Sequence, residues 1–408
     1  MPDEGYLAQA LAAADWFVNT QVRMEMPYWD ANHGRLVYNY HIPTQATVLG
    51  LSWTQGRGII TLLGAWEATR ESRYLRTAIQ AAEYIKHLQI LDERSPRRFG
   101  AIREECPASW YVYPRDALEA GIGLMHLWRA TGVEEYLYRA RLFADWFLRV
   151  AMEPDGWTPA GVMLYEGDDH ENARRRSYCL GGGAYFFVQL ARATGDERYL
   201  DDGFRPLARY LLEHYVRPDG VVSTRDVTTP TRARGSADRY GDVALNDDCC
   251  GITMLVAYDV LGEEVYLDRM RRYGDWMLEE EGPLPRYAAV PLQALTLLDL
   301  SAVSGDEQYA EFARGKLGPE FVARQVVGSA DPAVDGAFRG EDEPARHYAP
   351  EGAHAEEFVN TRCTAYAANA LFKLDGTIFG PYYSAVNWDV SRVPLPSPEL
   401  LAPYRGGR

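Results

Sequence analysis

One eight-residue pattern keeps returning along this chain, and it limits the fold more than any other feature. Ala68-Thr69-Arg70-Glu71-Ser72-Arg73-Tyr74-Leu75 recurs as Ala130-Thr131-Gly132-Val133-Glu134-Glu135-Tyr136-Leu137, and again as Ala193-Thr194-Gly195-Asp196-Glu197-Arg198-Tyr199-Leu200. Shorter copies are Leu261-Gly262-Glu263-Glu264-Val265-Tyr266-Leu267 and Ser304-Gly305-Asp306-Glu307-Gln308-Tyr309, and the chain opens mid-copy at Gly5-Tyr6-Leu7. Ten residues past the tyrosine stands Trp16, Trp146 or Trp276 in three copies and Tyr84 in a fourth. A repeat of this length marks one supersecondary unit that buries its apolar face only by stacking on its neighbours.

Helical periodicity flanks each copy. The Gly ends one helix, and the acids after it suit the first turn of the next. Each unit is therefore a helix, a short turn and a helix. Outer helices are expected at 5–22, 73–90, 134–150, 197–215, 263–280 and 306–324, with inner partners at 52–69, 115–131, 178–194, 246–261, 286–303 and 359–374. The inner set is richer in small residues, as a crowded ring requires. Six hairpins close into an all-α (α/α)6 barrel. It is expected to occupy 1–385 as a single catalytic domain, followed by a C-terminal tail at 386–408. An open tetratricopeptide solenoid has a period of about 34 residues, roughly half of this one.

The connections are unequal. Inner-to-outer turns are a few residues long, whereas outer-to-inner links run over 23–51, 91–114, 151–177, 216–245 and 325–358. Long loops in a compact domain usually carry function. All of these lead into inner-helix N-termini, so they gather at one mouth, where the helix dipoles favour anionic ligands.

Composition narrows the ligand. The chain has 408 residues, and its net charge of −16 argues against nucleic acid or an anionic membrane as partner. No apolar run is long enough to span a bilayer, and Met1-Pro2-Asp3-Glu4 does not resemble a signal peptide. The 5 cysteines include no CxxC pair and make no disulfide framework, so a reducing cytoplasm is expected. The 27 Tyr and 10 Trp fill a core, and they also suit stacking on sugar rings.

At the mouth, Ser52-Trp53-Thr54-Gln55-Gly56-Arg57-Gly58 places Trp53 and Arg57 on one helix face. Trp110-Tyr111-Val112-Tyr113-Pro114-Arg115-Asp116 leads into the second inner helix. Before the third lie Asp168, Asp169 and His170, then Tyr178. A metal site there, or at Cys249-Cys250, lacks the ligand spacing such a site needs, and no metal or cofactor is expected. Arg239, Tyr240 and the adjacent acids Asp247 and Asp248 precede the fourth. His347, His354, Glu357, Asn360 and Arg362 precede or open the sixth. Each charged residue also has a plainer reading as a helix cap or a solvated charge.

The hairpin repeat and the Trp53–Gly58 segment resemble the six-hairpin glycosidases. They are most like the unsaturated glucuronyl and rhamnogalacturonyl hydrolases, where a Trp-x-Arg-Gly-Gln segment opens an inner helix, and the related β-glucuronidases. Here Arg57 follows the glycine, and the segment opens the first inner helix. The family's catalytic aspartates should lie on inner helices before that segment, so they have no counterparts here. The resemblance implies a substrate that contains a uronic acid.

The expected function is a glycoside hydrolase acting on such an oligosaccharide through paired carboxyl groups. Asp248 is one partner, Asp116 or Glu357 the other, and Asp247 is the alternative to Asp248. Substrate contacts are expected from Trp53, Gln55, Arg57, Trp110, Tyr113, Arg115, His170, Tyr178, Arg239, Tyr240, His347 and Arg362. A polysaccharide lyase or uronate epimerase would instead need a base for a carbon-bound proton, for which Tyr240, His347 and His354 stand available. A non-catalytic helical scaffold is the third reading.

Overall fold

The computed structural model describes residues 5–24, 31–165, 183–216, 218, 251–279, 289–340, 353–376 and 393–402. Helices alternate along the chain as the repeat requires. The outer series is α1 (Tyr6–Thr20), α3 (Ser72–Leu88), α5 (Glu134–Trp146), α7 (Arg205–His214), α9 (Glu264–Glu279) and the pair α11 (Glu307–Phe312) and α12 (Gly318–Val322). The inner series is α2 (Ser52–Thr69), α4 (Pro114–Thr131), α6 (Phe186–Thr194), α8 (Gly251–Leu261), α10 (Ala289–Ser304) and α13 (Thr361–Asp375). A short α14 (Pro398–Leu401) follows.

Burial separates the two series. Every residue of α2 from Ser52 to Ala65 is buried, whereas α3 buries a stripe through Tyr74, Ala78, Ala81, Tyr84, Ile85 and Leu88. A helix buried all round belongs inside, and one with a single apolar stripe belongs on the rim. Inner helices pack side by side, α2 on α4, α4 on α6, α8 on α10, α10 on α13 and α13 back on α2. Three outer segments expected as plain α-helix contain π-helical turns, at Phe147–Ala151, Tyr199–Phe204 and Ala313–Leu317. The expected start of the third inner helix, 178–182, lies outside the described residues.

Each part of the repeat has a physical task. The threonine hydroxyl donates to the carbonyl four residues back, as Thr69 to Ala65, Thr131 to Leu127 and Thr194 to Leu190, and accepts from the N–H two residues on. Gly132 and Gly195 then reverse the chain at φ 68° and 70°, and Arg70 takes the same left-handed conformation at 60°. The tyrosine braces the rim. The Tyr74 hydroxyl donates to Asp15 of the preceding outer helix at 2.8 Å, Tyr199 to Asp145 at 3.0 Å and Tyr309 to Asp275 at 2.7 Å. In two copies the preceding arginine joins in, Arg73 to Asp15 and Arg198 to Asp145. Burial, reinforced by the adjacent carboxylates, raises the pKa of all three phenols, so each stays a donor.

A second repeat was not visible in the sequence reading. Gln21, Gln89 and Gln325 follow outer helices, and each amide donates to a loop glycine carbonyl and to the neighbouring outer helix. The acceptors are Gly34 and Thr77, Gly100 and Arg139, and Gly336 and Gln9. A Cβ on Gly336, at φ 84°, would stand 2.1 Å from the Ala12 carbonyl oxygen, so only glycine lets that loop approach. The third clamp ties the sixth outer helix to the first. With the Trp16 indole donating to the Ala333 carbonyl at 2.8 Å, it closes the ring.

The expectation of almost no sheet holds for the barrel wall, and the long loops carry the strands. β1 (Val37–His41) pairs antiparallel with β2 (Ala46–Leu49) and with β5 (Phe358–Asn360), joining the first and last loops. β3 (Tyr111–Val112) pairs with β4 (Val162–Met163), joining the second and third. The described tail lies against the α4–α5 turn, where Gly132 leaves no room for a Cβ beside the Pro394 carbonyl.

Candidate active site

The paired loops bring the starts of α2, α4 and α13 to one end of the barrel. Asn360 caps α13, accepting from the Cys363 N–H at 2.8 Å while its amide donates to the Gly340 carbonyl. The Thr361 hydroxyl donates to the Val37 carbonyl at 2.5 Å. These bonds lock β1 beside the first turn of α13.

Between α2 and α4 lies a carboxyl pair of which Asp116 is one member. Asp116, in the first turn of α4, is 5% exposed, and Arg115 meets it at 3.1 Å. Its neighbour is Glu104, 1% exposed and within hydrogen-bonding reach. The Glu104 backbone is pinned on both sides, its N–H donating to the Tyr111 carbonyl and its carbonyl accepting from the Ser52 N–H. Burial, and then the charge of Asp116, raise the Glu104 pKa well above the usual carboxylate range. Glu104 sits mid-loop, away from any helix start, so no local sequence signal marks it.

The aromatic run before α4 splits. Trp110 is 43% exposed, with its ring edge-on to Tyr111 at 5.8 Å, and Tyr111 lies 5.0 Å from Tyr113. Trp53 is buried instead, with Tyr38 at 5.5 Å edge-on and the Arg115 guanidinium 5.9 Å from its ring centre. Gln55 is fully buried. Its side-chain oxygen accepts from the Leu36 N–H and its amide donates to the Leu51 carbonyl, so both ends serve the fold.

Arg57 was expected to clamp a substrate carboxylate, and it has a carboxylate from the protein itself. Its Nε donates to Glu119 of α4 at 2.5 Å, with the two side chains 5% and 1% exposed, and its guanidinium lies 5.1 Å from the Tyr366 ring centre. Burial alone would lower its pKa, but Glu119 with Tyr366 and Tyr185 raises it well above the ordinary value. The (i, i+4) spacing from Trp53 was legible, but a partner on the next helix was not.

Glu357 stands apart from this group, before β5. It accepts from the His354 N–H at 2.9 Å and faces His41 Nε2 at 3.5 Å. The His354 N–H and then His41 lower its pKa, so it is an ionised acceptor rather than a proton donor. Arg362 follows in the first turn of α13. Asp247, Asp248, His170, Tyr178, Arg239, Tyr240, His347 and Cys249-Cys250 lie outside the described residues. Among the described residues no three His, Cys, Asp or Glu side chains gather as a metal site needs, and no helix is long and apolar enough to cross a membrane.

No family model matches the chain, and no curated protein matches it. Solved structures match along nearly its whole length. An unsaturated glucuronyl hydrolase from Bacillus sp. GL1, responsible for the degradation of glycosaminoglycan, is 16% identical at a TM-score of 0.66, over 93% of this chain and 99% of that one. A sugar epimerase from a ruminal bacterium is 13% identical at 0.65, over 92% and 98%. An α-1,6-mannanase of Salegentibacter sp., solved with α-1,6-mannotriose as an inactive variant altered at two adjacent aspartates, is 14% identical at 0.59, over 91% and 99%. The chain has the six-hairpin (α/α)6 barrel fold that these enzymes share.

Proposed function

We propose that the protein is a glycoside hydrolase acting on a uronic-acid-containing oligosaccharide at the long-loop mouth. The observation that carries this reading is the buried Glu104–Asp116 carboxyl pair beside Arg115 at the start of α4. Carbohydrate chemistry on a shared fold supports it, as does the glycosaminoglycan substrate of one neighbour. Arg115 supplies a cation for a uronate, and the Trp110, Tyr111 and Tyr113 rings offer faces for sugar stacking.

Two carboxyl groups that cleave a glycosidic bond stand about 5–9.5 Å apart, across the bond. Glu104 and Asp116 touch, so they form one side of such a pair. Asp248 is our assignment for the opposite acid, with Asp247 as its alternative. Glu357, held ionised, is the alternative to Asp116 as the carboxylate partner.

The test is reducing-end release from unsaturated glycosaminoglycan disaccharides, with α-1,6-mannotriose as the competing substrate. Asp116→Asn and Asp248→Asn should each lower turnover on the uronate by roughly 10²–10⁴ with little change in melting temperature. Cleavage of mannotriose alone would refute the substrate class. A product with a new double bond, or an epimer without new reducing ends, would replace hydrolysis with elimination or epimerisation.

A further inference from the structure

We propose that Glu104 is the positioning partner of Asp116, a carboxylic acid that donates one shared proton to the Asp116 carboxylate and fixes its charge and orientation. The proposal rests on the reading of Asp116 as a catalytic carboxyl.

The geometry requires a proton between the two groups. Glu104 Oε2 accepts weakly from the Ser52 hydroxyl at 3.4 Å, while Oε1 is buried and makes no well-formed hydrogen bond, although the Tyr113 N–H stands nearby. Asp116 offers only oxygens, and the cation beside the pair is Arg115. With both groups ionised, like charges would touch in a site closed to water and a buried oxygen would stay unsatisfied. One proton removes both penalties. It belongs on Glu104, because Asp116 has the closer hold on Arg115 and the N-terminal turn of α4, both of which favour negative charge. Facing Glu104 are Asp116, Arg115, the Ser52 hydroxyl and the Tyr113 backbone N–H. The last two and Arg115 favour its ionised form, yet burial and Asp116 outweigh them.

Two consequences follow for the mechanism. With the shared proton on Glu104, Asp116 is held in one orientation, suited to act as base or nucleophile, and the proton for the leaving group comes from the second carboxyl partner. As pH rises past its raised pKa, Glu104 loses its proton, a second charge appears beside Asp116, and turnover falls.

Glu104→Gln keeps a donor for Asp116 but cannot ionise, whereas Glu104→Met fills similar space with no donor. On the uronate substrate, Glu104→Met should lose roughly 10–100-fold in kcat. Glu104→Gln should lose less, and its pH–rate profile should lack the alkaline fall of the wild type. A second measurement needs no substrate. Over the range between the ordinary and the raised pKa, the folded state keeps a proton that the unfolded state has lost, so wild-type stability falls as pH rises. Urea midpoints at pH 5 and pH 8 should therefore drop further for the wild type than for Glu104→Gln. Equal drops would overturn the shared proton. If Asp116→Asn is inactive while both Glu104 variants keep the wild-type pH profile, the positioning role falls and the hydrolase reading stands. If Asp116→Asn is fully active, the hydrolase reading falls, and the urea midpoints alone decide the proton.

Discussion

Removing Glu119 tests how the barrel tolerates charge in its wall. In Glu119→Gln the Arg57 guanidinium keeps its charge, because arginine does not deprotonate in proteins. It is 5% exposed and loses the negative charge of its partner at 2.5 Å, even where the glutamine oxygen still accepts. Breaking a buried pair from one side costs about 3–5 kcal/mol. The Tyr366 ring, 5.1 Å from the guanidinium, is present in both proteins and leaves that difference unchanged. The reverse change is not symmetric. Arg57→Met strands Glu119, which escapes by taking up a proton, so its cost should shrink as pH falls. Arg57→Met combined with Glu119→Leu should recover most of the loss, since a well-packed apolar pair replaces a buried ionic one at little net cost. Urea unfolding at pH 5.5 and pH 8, followed in parallel by near- and far-ultraviolet circular dichroism, measures all four proteins. A Glu119→Gln variant within about 0.5 kcal/mol of wild type, the range of neutral surface changes, would refute the reasoning. So would an Arg57→Met cost that does not change with pH.

The rim struts and a second buried pair give two further predictions. Tyr199→Phe removes the donor to Asp145 and should cost about 1–2 kcal/mol in urea melts, whereas no measurable loss would show that Arg198 alone holds Asp145. Asp299 of α10 and Lys373 of α13 form a buried ion pair, and burial raises the Asp299 pKa to about 7 despite the lysine. Its folded value lies above its unfolded one. Stability should therefore fall by up to about 1.4 kcal/mol per pH unit between pH 4 and pH 7, relative to Asp299→Leu with Lys373→Met, and parallel stability curves would exclude it.

How much of this protein was legible beforehand follows from what is local and what is not. The Thr-Gly-acid-Tyr-Leu pattern specifies a helix end, a left-handed reversal and a helix start within a few residues. Those are backbone and capping effects that need no distant partner, and the sequence by itself therefore determined the six hairpins, the closed barrel and the mouth where the long loops gather. Asp116 and the Trp110–Tyr113 run stand out in the sequence for the same reason, since they sit at a helix start that the repeat places. Pairing across the ring is another matter. Asp15 and Tyr74 are 59 residues apart, Arg57 and Glu119 62, and Gln325 and Gln9 316. Nothing in the local pattern around either member names the other. Only the tertiary structure decided that Arg57 is neutralised from within, that Trp53 is covered while Trp110 is open, and that Glu104, from the middle of a loop, is folded against Asp116. Burial is what turns these residues from ordinary surface types into a charge pair, a packing ring and a proton-sharing acid, and burial depends on which helices the closed barrel sets side by side.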